Sequence, residues 1–250
     1  MQAPFHDRKS FLLLAGLLLL AGCARLRPAT VPLRTVSYPG TSPARTLVVL
    51  LPGRYDSPED FGRERFPELA AQAGARVDMV AVDAHLGYYY KRTIVDRLRE
   101  DVIGPARKRY DHIWLAGISL GGTGSLLYSS QHPEDVDGIV ILAPYLGEDN
   151  VVAEVRTAGG LRGWKAPERL APDDYQRRLW SWLGRYANGS RGQIPLYLGY
   201  GRSDSFAPAN AMLGEVLPSE RVFTAPGGHE WRAWRDLWEQ FVKTGALNGQ

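Results

Sequence analysis

The chain of 250 residues predicts an α/β fold, a mostly parallel sheet covered by helices on both faces and interrupted by a helical cap insertion. Three observations predict it. Apolar runs of strand length recur along the chain, and one of them, Leu47 to Leu51, is apolar at every position, as in a strand buried on both faces. Segments with helical spacing stand between these runs, so the strands are joined by crossovers. Sharp turn signals, Pro52-Gly53 and Gly117 to Gly121, mark where strands stop.

In order, the first strand is Thr46 to Leu51 and the second Val77 to Asp83. A helix is expected over Thr93 to Arg109, with Pro105 kinking or ending it. Ile113 to Ala116 is the third strand, and a helix follows over Gly121 to Gln131. Further strands are expected at Gly138 to Ala143, Leu196 to Tyr200 and Arg221 to Ala225, with a last helix from about Glu230 to Lys243. Residues 145–194 break the rhythm: they hold Trp164, Trp180 and Trp182, and a helix from Pro172 to Tyr186 opened by Asp173 and Asp174. An insertion of this size suits a cap over the site, the alternative being a second hydrophobic cluster.

The length suits one large α/β domain or two small ones, and can bury a full core without disulfides. With 30 basic against 27 acidic residues there is no concentrated positive charge, which excludes a nucleic-acid partner. No residue cluster has metal-ligand spacing, and Gly121-Gly122-Thr123-Gly124 belongs to a turn and helix, not a nucleotide fingerprint. No metal or cofactor is implied.

Gly117-Ile118-Ser119-Leu120-Gly121 lies between a strand and a helix. A serine there stands at the tip of a strained turn, and the following helix points its N-terminus at developing negative charge. The bare pattern arises easily by chance; the strand before it and the helix after it carry the argument. With Leu51-Pro52-Gly53, Gly201-Arg202-Ser203-Asp204 and Gly227-Gly228-His229, the chain resembles the α/β-hydrolase superfamily, and within it the small esterase-like serine hydrolases, from about Leu47 to Val242.

The resemblance implies Ser119 as nucleophile, with an acid and then a histidine later in the chain. His229 is the base in this reading, because His132 closes the far end of the helix that Ser119 opens. Asp204 is the expected acid, with Glu148 and Asp149 as rivals after the preceding strand. The oxyanion would rest on the Leu120 N–H and on a second donor from Gly53, Arg54 or Tyr55, Arg54 being favoured; Pro52 has no donor. Tyr88, Tyr145 and Trp164 are candidate pocket residues for a small-molecule ester or acyl substrate. His85 is read as structural, and Trp231, Trp234 and Trp238 as core contacts of the last helix. A peptidase or an acyltransferase would use the same triad, and a binding protein could reuse the fold without catalysis.

The beginning of the chain reads as an address. Arg8 and Lys9 precede an apolar run, Phe11 to Ala21, that is too short to span a bilayer as a helix. Leu20-Ala21-Gly22-Cys23 resembles a bacterial lipobox, in which cleavage precedes a lipidated cysteine; the alternative is a plain signal peptide with a chance cysteine. Residues 1–22 are then a signal peptide and residues 23–44, with Pro28, Pro32, Pro39 and Pro43, a tether or edge segment ahead of a domain over 45–250. Ala24 stands where an acidic residue would mark inner-membrane retention, so resemblance to Gram-negative lipoproteins points to the outer membrane.

Overall fold

The computed structural model describes residues 27–40, 43–189 and 192–248. The signal segment and Cys23 lie outside them. Seven strands form one sheet: β1 (Thr35–Tyr38), β2 (Thr46–Leu51), β3 (Val77–Val82), β4 (His112–Ile118), β5 (Gly138–Leu142), β6 (Leu196–Gly201) and β7 (Val222–Ala225). Their order is β1-β3-β2-β4-β5-β6-β7. β1 runs antiparallel to β3, and every other pair is parallel. The strand read as apolar throughout is buried at all its positions, as is β5, because both faces of the sheet are covered. The sequence thus locates β2 to β7 to within three residues at each end.

Among the described residues ten α-helices surround the sheet: α1 (Asp60–Arg63), α2 (Phe66–Gln72), α3 (Leu86–Tyr90), α4 (Ile94–Leu98), α5 (Gly104–Ala106), α6 (Leu120–Gln131), α7 (Asp149–Thr157), α8 (Tyr175–Ala187), α9 (Ala207–Gly214) and α10 (Trp231–Val242). One face carries α10 and α2, where Trp238 stacks on Phe66 and donates to the Phe66 carbonyl. Trp234 and Trp238 are core residues, while Trp231 turns toward the loop after β2. The other face carries α4, α6 and the insertion, with Trp180 and Leu183 of α8 fully buried. The single helix expected over 93–109 is broken: residues Arg99–Ile103 form a π turn in which the Gly104 N–H reaches back to the Arg99 carbonyl. The turn stands directly before Pro105, which has no N–H for a regular helical bond.

The proline-rich stretch is not a free tether from Arg27 onward. Leu33 is buried, its N–H donates to Asp101 (2.7 Å), and Thr35–Tyr38 pair with β3 as an edge strand. Proline cannot donate to a ladder, and the strand sits between Pro32 and Pro39, free of both.

Candidate active site

The site grows from the strand ends. β4 stops at Ile118, and Ser119 takes φ 52°, ψ −115° before α6 begins. Such a backbone costs a side-chain-bearing residue about 1–3 kcal/mol, so the surroundings must enforce it. They do so by close approach. A methyl group on Gly117 would stand 2.2 Å from the Gly121 carbonyl oxygen, and one on Gly121 would stand 2.1 Å from that of Leu51. The Ser119 N–H donates to the Leu142 carbonyl at 2.9 Å and the Tyr145 N–H to the Ser119 carbonyl at 3.2 Å, tying the turn to β5 and to the start of the insertion.

β6 and β7 deliver the other two groups. The N–H groups of Arg202 and Ser203 donate to the carbonyls of Ala225 and Gly227, holding the loops after the two strands side by side. Asp204 sits in the first loop with its side chain fully buried. One carboxylate oxygen accepts from the Phe206 N–H at 2.8 Å, and the other lies 2.8 Å from His229 Nδ1. His229 Nε2 lies 2.9 Å from Ser119 Oγ. Asp204 can only accept when ionised, so Nδ1 carries the proton and Nε2 is left to accept from the serine. The imidazole is wedged edge-on between Phe206 and Trp234, with ring centroids 4.8 and 5.0 Å away. Glu148 and Asp149, the rival acids, stand exposed on the wall of the cavity described below.

The loop after β2 lies against the serine. The position that a side chain on Gly53 would occupy is 3.7 Å from Ser119 Cβ and 2.4 Å from an oxygen of Asp56. Asp56 also accepts from the Trp231 indole at 3.0 Å, which links this loop to the turn holding His229. Burial pushes the Asp56 carboxyl above its usual range, and hydrogen bonds from Trp231 and the Gly53 backbone offset part of that. The Gly53 amide is thus drawn toward Asp56. Among the described residues, the N–H groups of Arg54, Tyr55 and Leu120 have no acceptor.

A cavity of about 550 Å³ is walled by Tyr145, Phe206, Val152, Asn150 and Arg156; Phe206 joins it to the imidazole, and neither Ser119 nor His229 lines it. Tyr145 and Phe206 meet edge to face at 5.6 Å, and burial pushes the Tyr145 phenol up to about 12. Of the three candidate pocket residues, only Tyr145 lines this cavity. Tyr88 is 1% exposed, and its hydroxyl is tied to the backbone of Thr30. Trp164 is buried in the core, with its indole donating to Glu154 at 2.9 Å. Both pack inward because each finds a fixed polar partner there. Sequence reasoning missed Phe206, Val152 and Arg156. The signal was present: Val151, Val152 and Val155 have helical spacing, and Phe206 follows the acid directly.

His85 is structural: its Nδ1 accepts from the Gly87 N–H, and burial, then Arg27, push its pKa down. The fold also gathers His132, Glu134 and Asp135 within ligand reach of one another, which their spacing did not suggest. They stand at the opposite end of α6 from Ser119. Asp135 accepts from Tyr128, and Arg99 lies 3.7 to 3.9 Å from both acids, so part of the cluster's charge is already offset.

The family model described as "Putative esterase" matches residues 62–243, most of the chain and all three residues of the triad geometry. The chain belongs to this esterase family. No curated protein matches the sequence of this esterase. Solved structures do match its fold. S-formylglutathione hydrolase FrmB from Staphylococcus aureus aligns with a TM-score of 0.59 at 15% identity, over 89% of this chain and 98% of that one. The S-formylglutathione hydrolase from Agrobacterium tumefaciens gives 0.57 at 14%, over 88% and 92%. Est1E from Butyrivibrio proteoclasticus, solved with ferulic acid, gives 0.55 at 17%, over 86% and 94%. The chain has the α/β-hydrolase fold.

Proposed function

We propose that this esterase cleaves a carboxylic ester through an acyl-enzyme on Ser119. The observation that carries the reading is the unbroken hydrogen-bond chain from Ser119 Oγ to His229 to buried Asp204, at 2.9 and 2.8 Å. Ser119 Oγ attacks the ester carbonyl carbon as its proton passes to His229 Nε2. Asp204 holds the imidazole in the correct tautomer and stabilises its charged form. The tetrahedral oxyanion accepts from the N–H groups of Leu120 and Arg54, both otherwise without an acceptor. His229 returns the proton to the leaving alcohol oxygen, and the C–O bond breaks. Water then attacks the acyl-enzyme, gives its proton to His229 and releases the acid, and Ser119 recovers its proton.

The aromatic wall formed by Tyr145 and Phe206, with Val152, suits an apolar or ring-bearing group of a small-molecule ester. The solved neighbours that act on or bind S-formylglutathione and ferulic acid fit an ester-directed site. The lipobox-like Leu20 to Cys23 supports export and attachment to a bacterial membrane, the outer one by the residue after Cys23. Two or more acyl chains there suffice for stable anchoring. The test is turnover of acetyl, long-acyl and feruloyl esters, a thioester and a peptide by wild type and Ser119→Ala. The reading expects at least one ester to be cleaved, with a loss of about 10³-fold or more in the variant. Equal turnover by a folded Ser119→Ala would remove the mechanism.

A further inference from the structure

Among the described residues, four large apolar side chains stand open to solvent: Val31 (72%), Tyr55 (77%), Tyr90 (66%) and Tyr175 (41%). All four lie at the edge of the sheet where the parallel strands end, which is the edge that carries Ser119. Tyr55 is in the loop after β2, and Tyr90 ends α3, which follows β3. Val31 adjoins Thr30, whose backbone is bonded to Tyr88 of the same helix. Tyr175 opens α8 beside Tyr145. The opposite edge has none among the described residues.

Cations accompany two of the four. The Arg54 guanidinium lies over the Tyr55 ring at 5.2 Å, and exposed Lys91 and Arg92 follow Tyr90. Among the described residues Arg54 and Lys91 have no ion-pair partner, and Arg92 has only Asp173 at 4.0 Å. Exposed tyrosines beside unpaired basic groups suit a lipid headgroup layer, where rings sit at the apolar boundary and cations meet anionic phosphate.

The chain enters the fold at this same edge. Asp83, just past the end of β3, holds Arg27 through two bonds of 2.8 and 3.1 Å and also binds Arg34. In the order β3-β2-β4, two strand spacings of about 4.8 Å separate the strand that Asp83 follows from the one that carries Ser119. Cys23 precedes Arg27 by four residues, a reach of at most ~14 Å. An acyl group on Cys23 would therefore attach the enzyme by its active-site edge.

We infer that this edge rests on an anionic lipid surface and that the substrate is an acyl ester resident in that surface, presented to Ser119 from the bilayer. This rests on the esterase reading and, for the tether, on lipidation of Cys23. The corner formed by Val31, Arg54, Tyr55, Tyr90 and Lys91 makes the contact.

The test compares the full chain, wild type, with Val31→Ser/Tyr90→Ser/Lys91→Ser and with Lys108→Ser, which removes one exposed cation at the opposite edge. Each is assayed on 4-nitrophenyl acetate in solution and on 4-nitrophenyl palmitate held in vesicles of phosphatidylcholine, with and without phosphatidylglycerol. The inference expects the triple variant to keep its rate on the acetate and to lose about tenfold or more in kcat/KM on the vesicle ester, while Lys108→Ser changes neither. Phosphatidylglycerol should raise the wild-type rate on the palmitate. Equal losses on both substrates, no loss on either, or no cleavage of the vesicle ester by protein active on the acetate would overturn it. Labelling of Ser119 by a fluorophosphonate and the mass of the Cys23 peptide, read on the same preparation, report separately on the esterase and lipoprotein readings.

Discussion

Asp204 carries two acceptor bonds with a side chain sealed from solvent, so its charge and its shape can be separated. An amide at this position still accepts from Phe206 but no longer fixes the Nδ1 proton or balances a charged imidazole. Asp204→Asn is expected to keep the fold by circular dichroism and to lose roughly 10³–10⁴-fold in kcat, measured on the best ester. Asp56 gives the opposite kind of test, one of stability. Its carboxyl is raised by burial, so the folded state holds the proton more tightly than the unfolded one. That stabilises the fold below the folded pKa and is lost as pH rises through it. Asp56→Asn, which keeps an acceptor for Trp231, should therefore raise Tm relative to wild type at neutral pH, with the gain fading in acid. A constant difference across that range would contradict the assignment. At this scale the hydrogen-bonded grouping of Ser119, His229 and Asp204 was legible in the sequence, because a strained turn needs glycines at fixed spacing and the fold family orders acid before histidine. Tyr88 and Trp164 turn into the core and do not line the described cavity, because chain position does not say which way a ring points. Asp56 went unread because its partner, Trp231, is distant in sequence and meets it only in the fold.

The insertion is organised by one carboxylate. Glu154 of α7 accepts from Arg177 of α8 at 2.6 and 2.8 Å and from the Trp164 indole at 2.9 Å, while Asp174 caps α8 through the Arg177 N–H. Arg177, then Trp164, hold the Glu154 carboxyl below its usual range against the opposing effect of burial. A lowered folded pKa contributes stability above the unfolded value and loses it as pH falls through the folded one. Glu154→Gln should therefore lower Tm by a few degrees at neutral pH, and the difference should shrink in acid. α7 also walls the cavity through Asn150, Val152 and Arg156, so the same variant should raise KM more than it lowers kcat. Six strands could be read from their apolar runs; β1 was covered by the tether-or-edge reading of its proline-rich surroundings. The short helices α1, α2, α3 and α9 could not be read, since a few residues carry little periodicity and are held by tertiary contacts. Asp83, which clamps Arg27 and Arg34, makes the docked segment testable. Asp83→Ala should speed tryptic cleavage after Arg34 without disturbing the core.

For the whole molecule, the proposed lipidation of Cys23 would set the hydrolase domain behind a membrane anchor. Cys23→Ser should move the protein out of the membrane fraction or leave an uncleaved precursor, with turnover per folded molecule unchanged. Wild type cleaved elsewhere, soluble and carrying a free Cys23 thiol would defeat the anchor and leave the hydrolase standing. Strand alternation made the parallel sheet legible, but not the order β1-β3-β2-β4-β5-β6-β7, which long-range pairing decides. Nor did the pattern show that β6 and β7 lie side by side, the arrangement that lets Asp204 and His229 meet beside a serine fixed by β4. That meeting is the central claim, and covalent labelling tests it most directly. The full chain is exposed to a fluorophosphonate, digested, and its peptides weighed. One adduct is expected, on the peptide containing Ser119, absent from Ser119→Ala and formed far more slowly in His229→Ala. An adduct on another serine, or none on a protein folded by circular dichroism, would contradict it.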